Sequence, residues 1–145
     1  MEIRPLVKED YPGAVGLIAE FAEEAFSEYG TYLELEKLQQ TFDSGFETSF
    51  GAFIDGKMVG VFGGRIVDDL CSGAPVYHEM IWFVNKDHRT QGMKLFRHAM
   101  RWCKEQGITR MLMIALHNSK TDVLFKLYER LGFKPMETHF IKEID

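Results

Sequence analysis

An Asp-Gly pair set between two apolar runs constrains the fold more than any other feature of the sequence. Gly51-Ala52-Phe53-Ile54 precedes Asp55-Gly56, and Lys57-Met58-Val59-Gly60-Val61-Phe62 follows it. A two-residue hairpin turn needs positive φ at both central positions, which Asp and Gly tolerate, so the segment predicts two antiparallel strands. The run Val76 to Val84 predicts a third strand, and its nearly continuous apolar character from Met80 predicts burial on both faces, inside a sheet.

Around this hairpin the pattern alternates between strand and helix. Met1 to Leu6 reads as a first strand. Ala14, Leu17, Ile18, Phe21 and Ala25 then recur at helical spacing, and a second helix uses Leu33, Leu35, Leu38 and Phe42, the two covering one face of a sheet. A third helix runs from about Gln91 to Gln106 with Met93, Phe96, Met100 and Cys103 on its stripe and Gly107 as its stop. Ile108 to Leu116 reads as a buried strand, Leu124, Leu127, Tyr128 and Leu131 as a helix ended by Gly132, and Phe133 to Ile144 as a last strand or hairpin. The expected order is β-α-α-β-β-β-α-β-α-β, a mixed α/β (α+β) fold with helices on both faces of the sheet. The 145 residues suit one domain, 1–145.

Composition narrows the function classes. Net charge is −5, which offers no global positive field to nucleic acid or an anionic membrane. Acids crowd the first 50 positions (Glu20, Glu23, Glu24, Glu28, Glu34, Glu36), whereas Lys86 to Lys104 is basic; this suits an anionic cofactor and a cationic acceptor, or simply solvated helix faces. Cys71 and Cys103 have no metal-ligand spacing, and the histidines form no set with other ligands, so no metal is expected. No apolar run approaches a membrane span or a signal-peptide core, and the expected setting is the cytoplasm.

The strand Val76 to Val84, the segment Val84-Asn85-Lys86-Asp87-His88-Arg89-Thr90-Gln91-Gly92 and the ending Leu127-Tyr128-Glu129-Arg130-Leu131-Gly132-Phe133 resemble the GNAT acetyltransferases, in particular short phage and bacterial members. The family pattern is Arg or Gln, two residues, Gly, one residue, then Gly or Ala; here those positions are Arg89, Gly92 and Lys94. The sequence departs from it in two places. Lys94 replaces a small residue, and Leu95-Phe96 comes about two positions earlier than the family's apolar pair. A strand that turns into a helix leaves backbone N–H groups at the helix N-terminus, where the dipole also favours an anion. Arg89, Thr90, Gln91, Gly92 and Met93 fit such a cradle for the pyrophosphate of acetyl-CoA. Lys94 is either a further phosphate ligand or a solvated side chain.

The resemblance implies acetyl transfer from acetyl-CoA to a primary amine by direct attack in a ternary complex. It lays the pantetheine arm along the strand at Phe83 and Val84, whose backbone amides bind it. His78 and Glu79 are both candidates for the base; being adjacent, they point to opposite faces, and the family pattern does not choose between them. Tyr128 matches the family's tyrosine, the proton donor to the departing thiolate. Asn118 is either a cofactor ligand or a loop residue capping the next helix. A small-molecule or peptide amine is the implied acceptor, with neither nucleic acid nor membrane as partner, and relatives' pairing through C-terminal strands implies a homodimer. The alternative from another class is a non-catalytic acyl-CoA-binding or interaction module on the same fold.

Overall fold

The computed structural model describes residues 1–30, 33–117 and 120–144. The chain divides into two compact units, Met1–Ile114 and Ala115–Asp145.

In the first unit, β1 (Glu2–Pro5), β2 (Ser49–Ile54), β3 (Lys57–Asp68), β4 (Pro75–Val84) and β5 (Arg110–Leu112) form one sheet in the order β1-β2-β3-β4-β5. The first three pairings are antiparallel; β4 and β5 are parallel. The β2–β3 turn is the expected one, with φ of 51° at Asp55 and 77° at Gly56.

Helices α1 (Tyr11–Phe26) and α2 (Leu35–Asp43) cover one face. Ala14, Leu17 and Phe42 from these helices close a core with Leu6, Phe53, Met58, Val61 and Phe83. Helix α3 (Gly92–Glu105) links β4 to β5 and covers the other face, where its Phe96 ring lies 5.4 Å from Trp82 and 6.2 Å from Phe62, and its Trp102 ring 5.4 Å from Phe50. The buried stripe of α3 is Gly92, Leu95, Phe96, Ala99 and Cys103. Met100, expected on that stripe, is 41% exposed, because Leu95 and Ala99 take the inward positions.

β4 is interior to the sheet as expected, but its burial is interrupted. Its register against β3 passes from Gly63↔Ile81 to Gly64↔Glu79, which leaves Met80 as an extra residue, 51% exposed. This bulge lets Tyr77 and Trp82, an odd number of positions apart, pack on the same face against the Phe62 ring. The Gly63-Gly64 pair opposite is required sterically: a Cβ on Gly64 would stand 2.4 Å from the His78 carbonyl oxygen and 2.6 Å from the Tyr77 ring. Tyr77, fully buried, donates its hydroxyl to the Thr48 carbonyl at 2.6 Å, and Thr48 in turn donates to the Gly64 carbonyl.

Two expectations about strands are corrected. The strand anticipated over Ile108 to Leu116 is confined to Arg110–Leu112. Residues 133–144 carry neither helix nor strand among the described residues, because alternating apolar residues make a strand only when another backbone pairs with them.

The second unit contains α4 (Thr121–Arg130). Its end forms a Schellman cap, in which the Phe133 N–H donates to the Tyr128 carbonyl at 2.9 Å and the Gly132 N–H to that of Glu129 at 3.0 Å. Gly132 sits at φ 91°, a conformation that favours glycine, and the Phe133 ring packs 5.7 Å from that of Tyr128.

Gly64→Ala is expected to destabilise the protein by about 1–3 kcal/mol, since a backbone carbonyl cannot yield as a flexible side chain can. Denaturant unfolding measures this; an unchanged midpoint would mean that the bulge is not as tight as described.

Candidate active site

The site is built where β4 parts from β5. Their ladder covers Val76↔Arg110, Tyr77↔Met111 and His78↔Leu112 and goes no further. Beyond it the Ile114 N–H donates to Glu79 Oε2 at 2.9 Å, so a side-chain carboxylate stands in for the next backbone partner. From Glu79 to Val84 no strand pairs with this edge of β4 among the described residues.

The backbone direction along the open edge follows from one bond. The Asn85 N–H reaches the Val59 carbonyl on β3 at 2.9 Å. Alternation then turns the Phe83 amide toward β3 and the Val84 amide toward the open side. The Phe83 side chain packs among the α1 aromatics, 5.8 Å from Phe21, and Val84 lies toward α3. Of the two amides expected to line a cofactor, only that of Val84 points into the gap.

Glu79 is 4% exposed, and burial pushes its carboxyl up to about 7, with the Ile114 N–H pulling weakly the other way. His78 faces the opposite side, half-buried and paired with Arg65 and Leu112. The two candidate bases thus occupy different environments on one strand, with the buried Glu79 at the point where β4 and β5 part.

Between β4 and α3 the chain makes a 3₁₀ turn over Lys86–Gln91. Asn85 and His88 tie it together: the His88 N–H donates to the Asn85 carbonyl at 3.0 Å and the His88 ring Nδ1 lies 2.8 Å from Asn85 Oδ1. Arg89 extends to α1, where Nη2 donates to both Glu24 oxygens at 3.0 and 2.9 Å, and its guanidinium lies 5.4 Å above the Phe83 ring. Thr90 and Lys94 are exposed, whereas Gln91 and Met93 are half-buried. Gln91 Oε1 is turned inward with no hydrogen-bond partner among the described residues.

Gly92 is buried at the start of α3. Its N–H donates to the Arg89 carbonyl, and its own carbonyl accepts from Trp82 Nε1 at 3.2 Å. A Cβ here would meet Trp82 and Val84 at 3.7 Å, ordinary contact. The glycine therefore seats the helix against β4, and the amides left for an anion at the start of α3 are those after it.

Tyr128 belongs to the second unit, half-buried on α4, with its ring fixed against Phe133 by the Schellman cap. Asn118, the candidate cofactor ligand, and Ser119, the alternative cap, lie outside the described residues. Three residues that bear on the site were not singled out from the sequence. Glu24 was one acid among many, Ile114 an apolar strand position, and Trp82 an apolar residue of β4; only the pairing partner gives each its part. His98, expected at the surface, packs half-buried 5.2 Å from Phe50. No group of three or more His, Cys, Asp or Glu placed to hold a metal ion occurs among the described residues. A hollow of about 450 Å³ lined by Met100, Cys103, Ile108 and Met111 lies at the other end of α3, away from this site. No described helix is long and apolar enough to cross a membrane.

Two outcomes follow. The folded chain holds the Glu79 proton up to about pH 7, whereas the unfolded chain releases it near the ordinary 4.5. This contribution to stability is fully present below the lower value and is lost as pH rises through the upper one. Relative to the wild type, Glu79→Gln should therefore gain in Tm between pH 5 and 8, and parallel Tm curves would refute the burial of this acid. Gly92→Ala should leave Tm unchanged or raise it, by the equivalent of at most about 1 kcal/mol, since alanine is the better helix former; calorimetric melting checks it.

The sequence profile described as the acetyltransferase (GNAT) family matches residues 9–133. No curated protein sequence matches the chain. Among solved structures, an aminoglycoside acetyltransferase from an uncultured soil metagenomic sample, in complex with trehalose, superposes with a TM-score of 0.77 at 20% identity, over 99% of this chain and 96% of its own. A ribosomal-protein-alanine N-acetyltransferase from Brucella melitensis biovar Abortus 2308 gives 0.77 at 18% identity, over 99% and 98%. The aminoglycoside acetyltransferase AAC(6')-Iy, in complex with a bisubstrate analogue joining CoA to acetylneamine, gives 0.73 at 20% identity, over 99% and 97%. These likenesses establish a shared fold, and the profile, spanning most of the chain, establishes descent: the chain belongs to the GNAT family and is an acetyl-CoA-dependent N-acyltransferase.

Proposed function

We propose that this chain transfers the acetyl group of acetyl-CoA to a primary amine by direct attack in a ternary complex. The observation that carries the reading is the edge of β4 from Glu79 to Val84, unpaired among the described residues, which begins at a buried carboxyl pushed up to about 7. A base with that pKa suits removal of a proton from an ammonium acceptor near neutral pH. The amine nitrogen attacks the thioester carbonyl carbon, its proton passes to Glu79 directly or through water, the C–S bond breaks, and Tyr128 protonates the thiolate sulfur. His78 is the alternative base on the other face.

The cofactor fits the donors present. The Val84 amide would hold the pantetheine arm or polarise the thioester carbonyl, with Phe83 as its packing neighbour. The first-turn amides of α3 at Met93 and Lys94 would take the diphosphate, with Thr90 and the side chains of Arg89 and Lys94 beside them. Gln91 contributes if its amide turns to present Nε2 in place of Oε1. Gly92 supports this turn from beneath, and Asn118 would add a cofactor contact. A small-molecule or peptide amine is the proposed acceptor. Two structural relatives act on aminoglycosides and one on a ribosomal protein's alanine, all amines. A cytoplasmic homodimer built as one functional domain completes the reading.

Acetyl-CoA in excess should raise Tm, since a ligand that binds only the folded state stabilises it. Release of coenzyme A over a panel of amines tests the transfer, and binding without turnover on any amine would overturn it in favour of a carrier module. With a competent amine, kcat/KM should climb about tenfold per pH unit up to about pH 7, and Glu79→Gln should lower kcat roughly 10²-fold and flatten that limb. If His78→Ala does so instead, the two residues exchange roles. Tyr128→Phe keeps the ring against Phe133 and deletes only the proton, so kcat should fall roughly 10²-fold with Tm nearly unchanged; a fall in Tm with turnover intact would assign Tyr128 to structure alone.

A further inference from the structure

The guanidinium of Arg89 is held by a carboxylate from a distant part of the chain. Glu24 lies near the C-terminal end of α1, and Arg89 reaches it across the Phe83 ring, so the ion pair ties α1 to the turn that precedes α3. A single nitrogen, Nη2, serves both carboxylate oxygens. Both side chains are nearly half exposed, at 41% and 44%, and ion pairs so exposed to water are weak. The ring beneath is neutral and offers no competing charge, so the guanidinium can shift along it without losing that contact.

We propose that Glu24 is an internal competitor for the cofactor's diphosphate: it holds Arg89 in the free protein and yields it when the cofactor binds. The inference rests on the reading that the diphosphate lies at the turn and first residues of α3. A diphosphate carries more negative charge than one carboxylate and presents several oxygens to the planar guanidinium, so it wins the exchange. Each binding event then pays for the lost contact with Glu24, and the affinity for the cofactor is lower than the site's own donors would give.

Calorimetric titration with coenzyme A of the wild type, Glu24→Gln, Arg89→Ala and the double variant tests this. Glu24→Gln should tighten binding by about two- to fivefold, the range set by weak exposed ion pairs. Arg89→Ala should weaken it, and in that background Glu24→Gln should have no effect, because competition requires the arginine. Loss of packing or of α1 stability could only weaken binding, so the sign separates the proposal from a structural role. Tightening of equal size with and without Arg89 would mean that the carboxylate merely repels the ligand, and would overturn the proposal. So would unchanged or weaker binding by Glu24→Gln. If the wild type fails to bind coenzyme A, the cofactor reading falls and takes this inference with it; if Arg89→Ala weakens binding but Glu24→Gln does not tighten it, only the competition falls.

Discussion

The carboxylate of Glu79 occupies the place where the β4–β5 ladder would otherwise continue. Parallel strands pair by evenly spaced backbone bonds, and a donor diverted to a side chain is lost to that series. Here the Ile114 N–H is diverted, and the pairing is limited to three positions. The open edge therefore begins at the same residue that supplies the shifted acid. Burying a carboxyl costs free energy unless it is neutral or hydrogen-bonded. With one backbone donor and a pKa moved toward neutrality, Glu79 tolerates both protonation states over the range in which a base must change them.

Around this point the packing is arranged to keep β4 rigid. Tyr77 is anchored through Thr48, Trp82 holds the first carbonyl of α3, and Phe83 is backed by Phe21. Both faces of the strand are thus fixed by aromatic rings, while from Glu79 to Val84 its outer edge pairs with no strand among the described residues. A backbone edge usually invites pairing with any passing chain. This one is bounded by the short β5 at one end and by the turn into α3 at the other.

Much of this was legible in the sequence. The hairpin at Asp55-Gly56, the helix stops at Gly107 and Gly132 and the strand-turn-helix order from Val76 onward depend on local backbone chemistry, which residue type reveals. Met100 falls off the buried stripe because Phe96 and Cys103 are compatible with two stripes, and only contact with the sheet selects the one through Leu95 and Ala99. The bulge at Met80 was invisible, since an extra residue in a strand has no compositional mark and is defined by its partner. The same holds for β5, whose apolar run is longer than the ladder it forms, and for Arg89, whose partner lies 65 positions away. The site was legible as a motif but not as geometry: the sequence offers Glu79 ahead of His78 as the base, and the burial of Glu79 is visible only once the strands are paired.

The bulge also divides β4 into two stretches whose alternations are out of phase. Upstream, Tyr77 and Glu79 share a side; downstream, Ile81 and Phe83 take the opposite one, with the count restarted at Met80. The two stretches nevertheless remain coupled through one ring, since Tyr77 upstream and Trp82 downstream both pack on Phe62. A substitution at either ring is therefore felt across Met80, the exposed extra residue that brings both to the same face.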